Sequence, residues 1–259
     1  REQLNTFYKY SKKINIDFAS SVFSKDEVDF IHKYTKPPFI KIASMDLNNL
    51  DLITYAAKTK LPIIISTGLS NLSDVDDAVR AIESVKNKRI VILHCISNYP
   101  PKDSELNLKN IETLTKIFPY PIGYSDHTIG SYAALASIAI GAKVIEKHFT
   151  INKKLKGWDH SISANPSELK TISEDGLKIS RSLGSKLIHK VENKSKIKNF
   201  RRSCIAKSDI SLGEKINNHN VEFKRPGNGI PPNKFELIKN KIAKKKIIKG
   251  SLINIKDLK

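Results

Sequence analysis

The sequence predicts an α/β fold built on a parallel sheet, followed by a small β-rich unit. Short apolar runs rich in β-branched residues alternate with stretches of helical periodicity over the first 180 residues or so. These runs are apolar almost throughout, which is typical of parallel strands covered on both faces. After Ser203 the pattern changes to short β-like runs separated by Gly- and Pro-rich turns, and the expected strands are Ser203–Ala206, Val221–Lys224 and Lys245–Ile248.

The predicted elements of the first part alternate regularly, and they recur along the chain as strand, turn and helix. The expected strands are Ile14–Ala19, Phe39–Ala43, Pro62–Thr67, Ile90–Cys95, Pro121–Ser125 and Lys143–Phe149. The expected helices are Lys25–Tyr34, Leu47–Thr59, Leu72–Lys86, Leu106–Ile117, Ser131–Ile140 and Pro166–Ser182. Such alternation implies right-handed crossovers between parallel strands.

Polar side chains follow nearly every predicted strand, among them Ser44, Ser66, His127 and His148. A barrel builds its active site there, from the carboxyl ends of several strands. An open doubly wound sheet uses one switch point and often a Gly-rich phosphate loop after the first strand, and no such loop follows the first strand here. The sequence therefore predicts a (β/α)₈ TIM barrel that lacks its first two β/α units in this chain.

The chain is expected to divide into a barrel at residues 1–184, a linker at 185–202 and a β domain at 203–259 that contains one helix, Lys234–Ile242. From Ser185 onward there are 20 Lys and Arg against 6 Asp and Glu, a net +14, whereas the first 184 residues carry a net +5. A basic domain raises the question of nucleic acid. No nucleic-acid partner is expected, because the lysines are interleaved with isoleucine and no zinc-finger, RNP-type or helix-turn-helix signature accompanies them.

Composition also limits the location of the protein. No apolar run approaches the ~20 residues that a membrane span needs. Cys95 and Cys204 lie far apart and show no metal-ligand or redox spacing. A reducing compartment is the simplest inference, and we expect a cytoplasmic protein without a membrane partner.

Two histidines end neighbouring predicted strands: His127 in Gly123-Tyr124-Ser125-Asp126-His127-Thr128 and His148 in Ile145-Glu146-Lys147-His148. Alternation along a strand puts Ser125 on the face of His127, and Glu146 on the face of His148. Two imidazoles at adjacent strand ends would hold a divalent cation and leave positions open for substrate and water. Either histidine alone is more often a hydrogen-bonded core residue.

Further strand-end residues suit an anion. Lys41, Ser44, Ser66 and Ser97 would present an ammonium and several hydroxyls to a phosphate or carboxylate. Asp159 follows the last predicted strand of the first part, where it would act as a general acid or base, contact a sugar hydroxyl, or simply cap the loop. His94 and Cys95, inside a strand, are expected to be packing residues.

Together these segments resemble the sialic acid synthase family, with a C-terminal antifreeze-like (SAF) domain. The matching stretches are Ser20-Ser21-Val22-Phe23-Ser24, Lys41-Ile42-Ala43-Ser44, Ile65-Ser66-Thr67-Gly68, Leu93-His94-Cys95-Ile96-Ser97-Asn98-Tyr99-Pro100, Tyr124-Ser125-Asp126-His127-Thr128, Glu146-Lys147-His148-Phe149-Thr150 and Lys224-Arg225-Pro226-Gly227-Asn228-Gly229. Each stretch is short, but their order and spacing make the set specific.

The resemblance implies an enzyme that condenses phosphoenolpyruvate with the open-chain aldehyde of an N-acetylated amino sugar, of the N-acetylmannosamine type, and releases phosphate. It implies a divalent metal, Mn²⁺ with Mg²⁺ or Co²⁺ as alternatives, held by His127 and His148. The phosphoenolpyruvate site would consist of Ser21, Lys41, Ser44, Ser66, Ser97 and Ser125. The sugar contacts would be Tyr99, Asp46 and Asp159, the two aspartates being the candidate catalytic residues. It further implies a domain-swapped homodimer in which Arg225 contacts the sugar in the partner's site.

Several departures from the family pattern bear on the substrate. Ser21-Val22 replaces Thr-Pro, Asp46 replaces Glu, and the loop Gly157-Trp158-Asp159-His160 differs from the family's common loops. The product is therefore expected to be a sialic, legionaminic or pseudaminic type acid, or a spore-coat polysaccharide precursor. The first two barrel strands, which carry a catalytic Glu in the family, are missing from the predicted barrel.

Two other interpretations stay open at this level. An aldolase-type barrel would use Lys41 as a Schiff-base nucleophile. A non-catalytic module would bind an anionic glycan or nucleic acid through the basic C-terminal domain.

Overall fold

A computed structural model describes residues 2–188 and 193–259, which form two compact units at residues 1–184 and 185–259. The predicted linker at 185–202 includes residues 189–192, which lie outside the described residues. The rest of that segment contains a helix, Lys194–Phe200, whose N-cap Asn193 accepts the Lys196 N–H. This helix lies within the second unit, which begins at residue 185.

The first unit is a parallel five-stranded sheet with helices between the strands. The strands are β1 (Ile40–Ile42), β2 (Ile63–Ser66), β3 (Ile90–Cys95), β4 (Ile122–Asp126) and β5 (Ile145–Lys147). The helices are α1 (Glu2–Lys13), α2 (Lys25–Tyr34), α3 (Leu50–Lys58), α4 (Leu72–Ser84), α5 (Asn110–Ile117), α6 (Tyr132–Ala139) and α7 (Pro166–Ser182). The strand order is sequential, β1-β2-β3-β4-β5, and every pairing is parallel. This is half of a barrel wall, since a doubly wound sheet would reverse its order at a switch point.

Five of the six predicted strands of this unit are confirmed, and the first is wrong. Residues 14–19 form no strand, and the strand-like pairing begins later, where Ser21 forms a parallel bridge to Lys41. The apolar side chains that suggested the strand are solvent-accessible, with Ile16 60% exposed, whereas Val22 is fully buried. The run therefore lacks the two covered faces that a buried parallel strand requires.

The core of the first unit lies between the sheet and the helices, and it buries β1 and β2 completely. Side-chain caps fix where helices begin: Asn71 starts α4 and Asn165 starts α7, each with a capping box. As a result, the polar segments between strand ends and helix starts are held at one rim of the sheet.

The second unit contains the antiparallel pair β6 (Ser203–Ala206) and β7 (Val221–Lys224), as predicted. The expected strand Lys245–Ile248 is reduced to one bridge, Ile247 to Ile210. The predicted helix Lys234–Ile242 is instead the 3₁₀ helix Pro232–Leu237. Its buried residue Phe235 and its C-cap Ile238, which is also buried, are spaced by three, which suits a 3₁₀ helix better than an α-helix.

A separate small core stabilises this unit, with Ile210, Ile216, Ile238 and Ile253 fully buried. Among the described residues of the whole chain, no helix combines the length and apolar character that crossing a membrane requires.

Candidate active site

A cavity of about 410 Å³ lies at the carboxyl ends of the parallel strands. It gathers most of the residues that the sequence singled out, from every strand of the sheet. The predicted site residues in its lining are Ser21, Lys41, Ser44, Ser66, Ser97, Tyr99, Ser125, His127 and His148. The geometry matches the location of active sites in barrels.

Lys41 is the buried cation of the cavity. Its ammonium donates to Ser66 Oγ at 2.8 Å and to the Ile42 carbonyl at 3.0 Å. Its Nζ also lies 3.6 Å from Glu146 Oε2, and Ser125 Oγ donates to the other carboxylate oxygen at 2.6 Å. Burial lowers the pKa of Lys41, and the Glu146 carboxylate opposes that shift. An anionic ligand would compete with Glu146 for the lysine and the Ser125 hydroxyl.

Gly68, directly after β2, allows two cavity hydroxyls to approach the backbone. A Cβ at this position would lie 2.1 Å from Ser97 Oγ and 2.7 Å from Ser44 Oγ. The Gly68 N–H donates to Ser44 Oγ at 3.1 Å, which orients that hydroxyl. Because glycine has no Cβ, it leaves room at this position for the two hydroxyls, which a larger residue would displace.

His127 and His148 face each other, with ring centroids 5.2 Å apart. His127 Nδ1 lies 2.9 Å from the Ile96 carbonyl, and 3.9 Å from Cys95 Sγ. Because a carbonyl only accepts, Nδ1 carries the proton and Nε2 is left for another partner. Burial opposes protonation of His127, but its hydrogen bonds to Cys95 and Ile96 outweigh burial and raise its pKa.

His148 has a carboxylate nearby, with its Nδ1 3.7 Å from Asp159 Oδ2, which is longer than a hydrogen bond. Burial, reinforced by the neighbouring His127, lowers the pKa of His148 and favours the neutral ring. The Tyr99 ring covers both imidazoles, with centroids 4.1 Å from His127 and 5.8 Å from His148.

The histidine pair fits a divalent cation with open coordination positions. His127 Nδ1 is hydrogen-bonded to the Ile96 carbonyl and His148 Nδ1 faces Asp159, which leaves the two Nε2 atoms as nitrogen donors. Within the described part of the chain, no group of three or more His, Cys, Asp or Glu side chains is arranged to hold a metal. Two protein ligands would leave the remaining positions to substrate and water, as in a catalytic site.

Three predicted residues lie outside the cavity lining. Asp159 is next to it, beside His148. Asp46 ends the 3₁₀ turn Ser44–Asp46, and its Oδ1 accepts from the Asn49 amide at 3.4 Å. Arg225 belongs to the second unit, where its guanidinium lies 5.1 Å above the Phe200 ring.

Four titratable residues of the cavity lining were not selected from the sequence: Cys95, Asp126, Glu146 and Lys147. Glu146 had been placed on the face of His148 by strand alternation, and that signal would have identified it. Cys95 was expected only to pack, yet it lines the cavity beside Ser125 in register. Burial raises the pKa of Cys95, but hydrogen bonds from His127, Ser44 and Ser125 outweigh it and lower that pKa. His94 does pack as expected, with Nε2 2.7 Å from the Leu106 carbonyl.

The fold and site define an α/β protein of the barrel type with a lysine, hydroxyls and two histidines at its strand ends. Residues 1–187 match the model of the NeuB family, and residues 201–259 match the model of the SAF domain. The chain belongs to the NeuB family and carries a SAF domain.

Characterised relatives and solved structures agree with this assignment. The N,N'-diacetyllegionaminic acid synthase of Campylobacter jejuni is 38% identical over 249 residues, covering 94% of this chain and 74% of that protein. The crystal structure of the Bacillus subtilis spore coat polysaccharide biosynthesis protein spsE has a TM-score of 0.65 at 34% identity, over 97% of this chain and 75% of that one. The N-acetylneuraminic acid (sialic acid) synthetase of Leptospira borgpetersenii, in complex with citrate, has a TM-score of 0.71 at 33% identity, over 75% of this chain and 67% of that one.

Proposed function

We propose that the protein condenses phosphoenolpyruvate with the open-chain aldehyde of an N-acetylated amino sugar to give a sialic acid or a related nonulosonic acid. In this reaction C3 of phosphoenolpyruvate bonds to the aldehyde carbon, one water is consumed, and inorganic phosphate is released as C2 becomes a ketone. The observation that carries the proposal is the cavity that joins the Lys41 and serine set to the His127 and His148 pair.

In this proposal the anion-binding side of the cavity holds phosphoenolpyruvate. Lys41 is already aligned on Ser66, and Ser44 is oriented by the Gly68 N–H. Charge-assisted hydrogen bonds from an ammonium and hydroxyls are the strong ones for phosphate and carboxylate groups. Glu146 would give up Lys41 to the incoming anion, since it holds the ammonium only through a contact of 3.6 Å. The Ser125 hydroxyl would exchange its 2.6 Å hydrogen bond to Glu146 for one to the anion.

The histidine side of the cavity would hold a divalent cation through the Nε2 atoms of His127 and His148, with Mn²⁺ the expected ion. When bound, such an ion supplies Lewis-acid polarisation of an aldehyde oxygen. Asp159 lies beside His148 Nδ1, and the Tyr99 ring packs on His127. Asp159 and Tyr99 would then also lie next to the sugar, which is expected beside the metal. A contact between Asp46 and the sugar would require the turn that carries Asp46 to move toward the cavity.

The identity of the sugar is a finer proposal, supported by the names of the relatives. An N-acetylmannosamine type substrate is our first candidate, and the sugars that lead to legionaminic and pseudaminic acids are the alternatives. We also propose a domain-swapped homodimer in which Arg225 reaches the partner's site. An exposed Arg225, held over Phe200, is consistent with such a contact. Arg225→Ala should then raise the KM for the sugar and leave phosphoenolpyruvate affinity unchanged.

The test is phosphate release by the full-length protein, with phosphoenolpyruvate, Mn²⁺ and a panel of N-acetylated amino sugars. We expect release that depends on both a sugar and the metal, and that His127→Ala abolishes. His219→Ala removes an exposed histidine of the second unit and is the matched control, with activity unchanged. Turnover that survives chelation, or no release with any sugar, would contradict the proposal.

Schiff-base chemistry is the rival that the structure makes worth testing, because burial lowers the pKa of Lys41 and so favours its nucleophilic amine form. Borohydride added during turnover would attach the substrate covalently to Lys41 if this rival were correct. We expect no such adduct, because Lys41 acts by binding the anion.

A further inference from the structure

Asp126 and Lys147 form a buried ion pair immediately behind the two histidines. Asp126 is the last residue of β4 and Lys147 the last of β5, and the two are direct partners in the parallel register. Their side chains are 0% and 3% exposed, and Lys147 Nζ lies 2.8 Å from Asp126 Oδ2. They lie one residue before His127 and one residue before His148.

The pair is part of a closed ring of hydrogen bonds that includes the backbone of Thr128. The Thr128 N–H donates to Asp126 Oδ1 at 2.9 Å. The Lys147 ammonium donates to the Thr128 carbonyl as well as to the aspartate. Residues on both sides of His127 are thus attached to the residue that precedes His148.

This ring extends the connection between the strands beyond the sheet. Regular β4–β5 pairing ends at Asp126 and Lys147, and beyond it the His148 carbonyl accepts from the Ala164 N–H instead. Both residues of the ion pair belong to the cavity lining, but their side chains are almost completely buried. The ring therefore joins the two backbone segments that carry the imidazoles.

Stability alone does not account for such a pair. A buried ion pair is often no more stabilising than apolar residues of the same shape, because its desolvation offsets the Coulomb attraction. An ion pair can hold backbone segments in place through charge-assisted hydrogen bonds, and apolar residues cannot. The ring provides this at the position where two metal-ligand candidates leave their strands.

We propose that Asp126 and Lys147 are positioning residues that set the His127 to His148 geometry for a divalent cation. This inference rests on the proposed function. Neither residue is expected to touch substrate or metal. Partners that orient metal ligands typically contribute ten- to a hundredfold, roughly, to metal affinity.

The test is the affinity of the purified chain for Mn²⁺ alone, measured by electron paramagnetic resonance of the free ion. Lys147→Met keeps much of the side-chain length and removes the ammonium, and we expect Mn²⁺ binding to weaken at least about tenfold. Ile82→Ala is the control for general destabilisation, since it opens a fully buried core position on α4, outside the cavity lining. It should lower the melting temperature and leave Mn²⁺ affinity unchanged.

The double variant Asp126→Asn/Lys147→Met removes both charges, so that neither is left unpaired. We expect it to melt at a higher temperature than Lys147→Met while Mn²⁺ binding stays weak, which a merely stabilising role would not produce. Wild-type Mn²⁺ affinity in either folded variant would overturn the inference and leave the proposed metal site intact. A wild-type chain that binds no Mn²⁺ would overturn the metal site itself, and this inference with it.

Discussion

Gly68→Ala tests whether the cavity hydroxyls act as ligands for an anion. The added methyl would lie 2.1 Å from Ser97 Oγ and 2.7 Å from Ser44 Oγ, both closer than real Cβ contacts. The hydroxyls have to rotate away or the backbone has to shift. A hydrogen bond to a charged group contributes about 1.5–3 kcal/mol. Losing one such bond to phosphoenolpyruvate should weaken its binding roughly ten- to a hundredfold.

Isothermal titration with phosphoenolpyruvate measures this effect directly. Gly176→Ala is the matched control, because Gly176 lies on α7, outside the cavity lining, and its methyl would lie 2.7 Å from Ile138 Cδ1 on α6. We expect normal phosphoenolpyruvate affinity in that variant. Ser97→Ala should lose part of the affinity that Gly68→Ala loses, since only one hydroxyl is removed. A folded Gly68→Ala protein with a dissociation constant within about twofold of wild type would refute the assignment of these hydroxyls.

Three further predictions concern the charged and aromatic groups. Burial lowers the pKa of Lys41, and only the ammonium form of this lysine can donate hydrogen bonds to phosphoenolpyruvate. The affinity for phosphoenolpyruvate should therefore decline as pH rises through that lowered pKa. Titrations between about pH 7 and pH 10 should show this decline in the wild type and not in Lys41→Met. Hydrogen bonds from backbone N–H groups lower the pKa of Asp209 and Glu214, and a lysine lowers that of Asp257. The stability that these three carboxylates contribute is present above the ordinary carboxyl pKa range and is lost as pH falls through their lowered pKa values. The melting temperature should therefore fall at pH values below about 4. The fall should be less steep in Asp257→Asn, which lacks one of the three carboxylates. Tyr99→Ala should raise the KM for the sugar by about tenfold, through lost ring contacts, without changing phosphoenolpyruvate affinity.

The fold was predictable where local signals were strong. Both α2 and α7 begin and end where the sequence indicated, because Ser24 and Asn165 cap them and their apolar spacing is helical. The sequential sheet followed from apolar strand runs and from polar residues at strand ends. The run at residues 14–19 failed because periodicity cannot tell whether an apolar segment will have partners on both faces.

The site was predictable only in part, for a physical reason. Strand-end position was enough to select Lys41, His127 and His148, because parallel strands end at one rim. The importance of Gly68 depends on a distance to two other segments, and no local pattern carries that information. Asp126 was not selected because alternation along the strand places it opposite Ser125 and His127, and its pairing with Lys147 appears only in the folded sheet.

The most direct test of the whole account is the fate of the carbons of phosphoenolpyruvate. The full-length protein would be incubated with carbon-13 labelled phosphoenolpyruvate, Mn²⁺ and N-acetylmannosamine or the related amino sugars, and the products would be analysed by mass spectrometry. We predict that all three labelled carbons appear in a nine-carbon 2-keto acid, and that chelation of the metal or His148→Ala prevents its formation. Label that remains in phosphoenolpyruvate or appears only in pyruvate would contradict the account.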